Sequence, residues 1–169
     1  MTTTLQKPVQ VGFAFTGSFC TFSQVISQLE AVAQHPNWEV IPIMSPNAYS
    51  IDTRFGLAKD FRAQIQKICN HEIIHTIFDA EPIGPKKLLD VLVVAPCTGN
   101  TLGKLANGIY DTSVTLAVKA HLRNARPVVI AVSTNDALAS SAKNIGTLFN
   151  NRHIFFVPMA QDNAQSKPT

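Results

Sequence analysis

Cysteine is scarce. Cys20, Cys69 and Cys97 are the only three in 169 residues and form no Cys-x-x-Cys pair, so a disulfide framework and a zinc site are both excluded. Charge is low as well: 15% of residues are charged against 46% hydrophobic, which places the chain far from the disordered regime and leaves a surface that self-association would help to cover. The net charge of +3 is small, and Lys and Arg are dispersed, which excludes a nucleic-acid face and leaves small anions as possible ligands. No apolar run approaches membrane-spanning length and residues 1–10 lack a signal-peptide core, so a cytoplasmic chain with reduced thiols is the expectation. The dinucleotide fingerprint G-x-G-x-x-G is missing too, and the turn around Gly12 and Gly17 suits one phosphate better than a pyrophosphate.

What is present is organised around residues 90–111, DVLVVAPCTGNTLGKLANGIYD. Leu92, Val93, Val94 and Ala95 form the continuous apolar run expected of a strand covered on both faces, and Pro96 is read as its end. Cys97-Thr98-Gly99-Asn100-Thr101 offers small polar side chains that cap the following helix, with backbone N–H groups open to an anion. Gly108 suits a left-handed helix terminus, and Asp111-Thr112-Ser113 supplies a second cap, which places two helix N-termini near one strand end.

The remainder alternates strand and helix. Val9–Phe15 and Trp38–Met44 read as strands, and between them Phe22, Val25, Ile26, Leu29 and Ala33 line one helix face. Thr53 is read as the cap of a second long helix with Ala58, Phe61, Ile65 and Ile68 on one face, ending near Asn70. Residues 71–87 read as an excursion with a short strand near 73–75. Val114, Val118, Leu122 and Ala125 stripe a further helix, Val128–Val132 and 154–157 are strands, and 137–150 is a weaker helix. With no hairpin signal, this order specifies an α/β fold: one Rossmann-like domain over 1–169, an open parallel sheet with helices on both faces in three layers, and flexible ends at 1–8 and 161–169. Ligands of such sheets bind beyond the strand carboxyl ends. Polar clusters stand at four of those ends: Thr16-Gly17-Ser18, Ser45-Pro46-Asn47, Thr98-Gly99-Asn100-Thr101 and Ser133-Thr134-Asn135. These clusters are either a cofactor crevice or plain helix caps.

Thr16-Gly17-Ser18, Ala95-Pro96-x-Thr98-x-Asn100-Thr101, Lys104, Ala106-Asn107-Gly108 and Asp111 together resemble the homo-oligomeric flavin-containing cysteine decarboxylase family of flavoproteins. Within that group Thr53-Arg54-Phe55-Gly56, residues 80–85, Arg126-Pro127-Val128-Val129, residues 133–138 and Gln161-Asp162 look like one component of the oxidoreductase complexes that form pyridine-2,6-dicarboxylate during sporulation. The resemblance implies flavin mononucleotide (FMN) on Thr16, Gly17, Ser18, Ser45, Asn47, Pro96, Thr98, Asn100, Thr101, Ser133 and Asn135. It also implies a homo-oligomer, a partner subunit resembling a nicotinamide-dependent dehydrogenase that brings NAD(P), and a dicarboxylate held by Arg54 or Lys104, with Lys119 and Arg123 as further candidates. The family's catalytic histidine falls near Glu81-Pro82, and Ser133-Thr134-Asn135-Asp136 stands in place of its Pro-x-Met-Asn motif, so decarboxylation is not expected. The family pattern also continues into a further C-terminal helix, whereas this sequence stops at Thr169. No histidine neighbours Cys20 or Cys97 in sequence, and no acid–base pair is recognisable. A non-catalytic flavin-binding or scaffold subunit therefore stands beside the oxidoreductase reading.

Overall fold

The computed structural model describes residues 7–160; the ends at 1–6 and 161–169, with the Gln161-Asp162 match, lie outside the described residues. Five strands, β1 (Val9–Phe15), β2 (Trp38–Met44), β3 (Val91–Cys97), β4 (Val128–Val132) and β5 (Ile154–Phe156), pair in parallel in the order β2-β1-β3-β4-β5. Among the described residues seven α-helices connect them: α1 (Phe22–Ala33), α2 (Pro46–Ser50), α3 (Ala58–Cys69), α4 (Ile77–Ala80), α5 (Gly99–Ala106), α6 (Ser113–Arg123) and α7 (Ala142–Phe149). The period of two in β1 divides the core. Val11, Phe13 and Phe15 face one side with Phe22, Ile26, Leu29 and Ile65 from α1 and α3. Ala14 faces the other with Leu92, Val94, Leu102, Val118 and Ile145 from β3, α5, α6 and α7. Gly12 in β1 lets Leu89 pack closely on the strand, since a Cβ there would lie 2.5 Å from Leu89 Cδ1 and the leucine would have to shift. This is the expected three-layer Rossmann-like sheet, and its order reverses direction between β1 and β3, where a crevice opens above the strand ends.

Five local readings change. Pro96 does not end the central strand: β3 runs through it to Cys97, with a cis Ala95–Pro96 bond and a register shift against β4. Thr53 caps no helix. It closes a tight turn with Gly56 through reciprocal backbone bonds of 3.0 and 3.1 Å, and Asp52 Oδ1 instead accepts the Ala58 N–H that opens α3. The two N-termini expected beside the central strand separate: α5 starts after β3, whereas Ser113 at the start of α6 donates its hydroxyl to Met44 O at the end of β2. The helix read at 137–150 begins only at Ala142, because 133–141 folds as a polar strap. The short strand near 73–75 is a single parallel bridge from Ile74 to Ile43.

Candidate functional site

Two crevices adjoin at the β1/β3 reversal. The larger, 440 Å³, is lined by Gly17, Ser18, Cys20, Thr21, Thr98, Gly99, Ser133, Thr134 and Asn135 among others. The smaller, 280 Å³, is lined by Thr16, Gly17, Ser45, Asn47, Thr98, Asn100, Thr101, Lys104 and Thr112. Gly17 and Thr98 belong to both, so each crevice gathers three of the four polar strand ends, with those of β1 and β3 common to the two.

Thr16 is the tie between the two strand ends. It is 1% exposed, its hydroxyl donates to Pro96 O at 2.7 Å and accepts the Thr98 N–H at 3.0 Å, and its N–H also reaches Pro96 O. Thr16 and Pro96 therefore hold the crevice wall with groups already occupied. Ser45 and Thr98 are helix caps, accepting the N–H of Ala48 and of Thr101. Thr101 is buried and bonds Thr98. Asn100 caps nothing and projects from an exposed position beside the smaller crevice, as does Asn47.

In the larger crevice three hydroxyls converge. Ser18 Oγ lies 2.7 Å and Thr21 Oγ1 3.3 Å from Ser133 Oγ. The Ser18 N–H donates to Thr16 O, so the turn's amides without an acceptor among the described residues are those of Gly17, Phe19 and Cys20, the last two at the start of a 3-10 turn (Phe19–Thr21) leading into α1. The opposite wall is rigid for a chemical reason. Asp136 Oδ1 accepts from Thr134 at 2.5 Å and from Ser141 at 2.8 Å, and these bonds hold its carboxyl below the usual range. Gly99 lets α5 begin directly against this cluster, since a Cβ there would lie 2.9 Å from Ser141 Oγ and 3.0 Å from Thr134 Oγ1. Sequence reasoning gave no site role to Thr21, and it set Gly99 in a strand-end cluster and Asp136 beside Ser133-Thr134-Asn135 without a role of its own for either. Only the three-residue spacing from Ser18 to Thr21, at a helix start, could have pointed to one of them.

The cations are dispersed rather than gathered. Lys104 lines the smaller crevice with its ammonium on both oxygens of Asp111, at 2.7 and 2.8 Å, and this bond holds the Asp111 carboxyl low. Arg54 is exposed on the 53–56 turn over the Phe55 ring, outside both crevices. Lys119 and Arg123 line a different cleft on α6. No imidazole or carboxylate lines either crevice among the described residues. Cys97 is fully buried, which raises its thiol pKa, and Cys69 is pushed up to about 12 for the same reason, so neither is a nucleophile. His75 stacks on Tyr49 at 3.8 Å, a packing role.

The fold is that of a Rossmann-like α/β protein with its crevices at the sheet reversal, and the chain belongs to the Flavoprotein family, which it matches over residues 2–167. It is 43% identical to the B subunit of dipicolinate synthase of Bacillus subtilis, over 96% of this chain and 80% of that protein. It superposes on the crystal structure of the B subunit of dipicolinate synthase from Bacillus halodurans with a TM-score of 0.84 and 40% identity, covering 96% of this chain and 83% of that one. Burkholderia xenovorans DmrB, solved in complex with FMN, shares the fold at a TM-score of 0.72 with 17% identity, covering 92% of this chain and 91% of that one.

Proposed function

We propose that the chain is the B subunit of a dipicolinate synthase, an oxidoreductase complex that forms pyridine-2,6-dicarboxylate from a dihydrodipicolinate-type precursor during sporulation. It works with the A subunit of dipicolinate synthase, through which NAD(P) enters, and holds FMN in its own crevice. The observation that carries this reading is the 43% identity to the Bacillus subtilis protein over 96% of the chain.

The crevice residues fit a flavin phosphate. Ser18, Thr21 and Ser133 offer three hydroxyls, those of Ser18 and Thr21 both within 3.3 Å of Ser133, and the amides of Phe19 and Cys20 stand at a positive helix start. The one carboxylate close by, Asp136, is occupied by Thr134 and Ser141. Gly17 leaves the rim low, and Asn100, Asn47 and Thr98 offer hydrogen bonds to the remainder of the nucleotide from the smaller crevice. Bound there, a flavin supplies electron- and hydride-accepting chemistry. The protein's own residues bind and orient it. No imidazole or carboxylate lines either crevice among the described residues, which leaves Lys104 and Cys20 as the titratable side chains there. That lack supports a division of labour in which the A subunit binds the nicotinamide and completes the catalytic centre, and Lys104 stands as the cation nearest the site for a substrate carboxylate. The self-association expected of the family is part of the proposal, with exposed Ile109 beside α6 as its contact.

The test is reconstitution with the purified A subunit of dipicolinate synthase, NAD(P) and a dihydrodipicolinate precursor, with and without FMN. Dipicolinate should form only when both proteins are present. Robust turnover by this chain alone would overturn the division of labour.

A further inference from the structure

Two helix starts open on the larger crevice, that of α1 through its 3-10 turn and that of α5 at Gly99, and each is a positive end that attracts an anion. They are furnished oppositely. At α1 the groups donate: the Phe19 and Cys20 amides have no acceptor among the described residues. No carboxylate among the described residues fixes the protons of Ser18, Thr21 and Ser133, so those hydroxyls turn to donate to an incoming anion. At α5 the groups accept. Ser141 Oγ, Thr134 Oγ1 and Asp136 Oδ1 lie 2.9, 3.0 and 3.3 Å from the place that a Cβ on Gly99 would take, so three oxygens already stand over the first turn of that helix. One of them is charged. Asp136 draws the single hydroxyl protons of Thr134 and Ser141 onto its Oδ1, at 2.5 and 2.8 Å, which leaves both hydroxyl oxygens with lone pairs only. Thr134 lines the crevice, whereas neither Asp136 nor Ser141 does. An asparagine would accept the same two bonds through its amide oxygen, so the negative charge is not what the strap needs in order to fold.

We infer that Asp136 is a positioning residue that sets the direction of the nucleotide in this crevice: it fixes Thr134 as a hydrogen-bond acceptor and keeps a phosphate off the start of α5. The inference rests on the reading that the chain holds FMN. A phosphate dianion brings acceptor oxygens alone. At α5 it meets the charge of Asp136 and the lone pairs of Thr134, whereas at α1 it meets donors, so its place is at α1. The flavin's hydroxylated chain, which adjoins the phosphate, has O–H groups to give, and one of them donates to Thr134 Oγ1. The two ends of the crevice therefore read opposite hydrogen-bonding characters, and a nucleotide fits them in one direction only. Asp136 does this without touching the ligand, through Thr134 and through its own field.

The experiment titrates FMN and riboflavin, which differ only in the phosphate, into the intact chain and follows flavin fluorescence. The proteins are the wild type, Ser18→Ala, Thr134→Val, Thr134→Ser, Asp136→Asn and the double variant Ser18→Ala/Asp136→Asn. Thr134→Val should weaken FMN and riboflavin by the same factor, about two- to tenfold, the loss of one hydrogen bond between neutral groups. Thr134→Ser keeps the acceptor and should bind both flavins as the wild type does. Ser18→Ala should weaken FMN alone. Asp136→Asn keeps the two hydroxyl bonds and removes the charge, so a phosphate gains a second helix start to occupy. The FMN penalty of Ser18→Ala should then fall from about ten- to a hundredfold to about threefold or less, with riboflavin binding within about twofold of the wild type. A purely structural Asp136 would instead leave the Ser18→Ala penalty unchanged, and that result overturns the inference. A loss confined to FMN in Thr134→Val overturns it too, because Thr134 would then donate to the phosphate; this arm stands even if Asp136→Asn melts too low to assay. In both cases the flavin reading survives, since the wild type binds. A wild type that binds neither flavin overturns that reading and the inference with it.

Discussion

Gly99 and Gly146 are both helical glycines, and the structure assigns them opposite responses to alanine. At Gly99, the first residue of α5, the new methyl would meet Ser141 Oγ at 2.9 Å, Thr134 Oγ1 at 3.0 Å and Asp136 Oδ1 at 3.3 Å. These atoms cannot swing aside freely, because the two hydroxyls are both bound to Asp136. Losing one hydrogen bond to a carboxylate costs about 1.5–3 kcal/mol, and the gain in helix propensity, up to about 1 kcal/mol inside a helix, is smaller at a first position. Gly99→Ala should therefore destabilise by about 1–2 kcal/mol and lower Tm by about 2–8 °C. At Gly146, within α7, nothing lies within 4 Å of the new methyl. Gly146→Ala should stabilise by about 0.5–1 kcal/mol and raise Tm by about 1–4 °C. Calorimetric melts of the two variants beside the wild type at neutral pH decide the matter. If Gly99→Ala melts at or above the wild type, the 133–141 strap yields freely and is not a rigid crevice wall.

His121 is 1% exposed, donates its Nε2–H to Pro127 O at 3.0 Å, and has its pKa lowered from 6.5 to about 4, chiefly by burial. Because the folded value lies below the unfolded one, stability should be complete above pH 6.5 and fall by about 2 kcal/mol as pH drops toward 4, after allowance for screening of the exposed Asp90 and partly exposed Arg126 charges nearby. Denaturant melts across that range should show the loss, and His121→Gln should flatten it; an identical slope in both proteins would contradict the assignment. Thr16→Val keeps the shape but removes the hydroxyl shared by Pro96 O and Thr98 N–H, and should cost about 2–4 kcal/mol in urea unfolding. A cost below about 1 kcal/mol would mean that Thr16 does not tie the strand ends. Asn100→Ala should leave the melt of the free protein unchanged, because Thr98 is the cap of α5, and should weaken FMN binding. A matching Tm loss with and without FMN would make Asn100 structural.

Strands and helices with a clean period were legible. The strand spans Val9–Phe15, Trp38–Met44 and Val128–Val132 follow from apolar runs alone, and α3 ends at Asn70 as expected, with that residue in the left-handed conformation. The misread positions are those where a residue's local meaning is overridden by a partner distant in sequence or by a turn of its own. Thr16 lines the smaller crevice as its position suggests, yet its hydroxyl is taken up by groups 80 and 82 residues away. Thr53 resembles a helix cap, yet a turn to Gly56 claims it and Asp52 caps α3 instead. Pro96 reads as a strand end, yet β3 continues through it. The candidate crevice was legible as a set of polar strand ends, because the parallel fold forces them to one side. Its division into two pockets was not, since the pairing of Ser18 with Ser133 across 115 residues depends on strand order. Separation of Lys119 and Arg123 from Lys104 was equally hidden, because it depends on the direction in which α6 runs.

The central claim is that the β1/β3 crevice holds FMN through the hydroxyls of Ser18, Thr21 and Ser133. Its most direct test is a titration of the purified chain with FMN, followed by quenching of flavin fluorescence, for the wild type and for Ser18→Ala and Ser133→Ala. The account requires saturable binding at one FMN per chain, a rise in Tm with FMN, and a loss of about ten- to a hundredfold in affinity in each variant, the effect of removing a hydrogen bond to a charged phosphate. Unquenched flavin together with an unshifted Tm in the wild type, or variants that bind as tightly as the wild type, would contradict it.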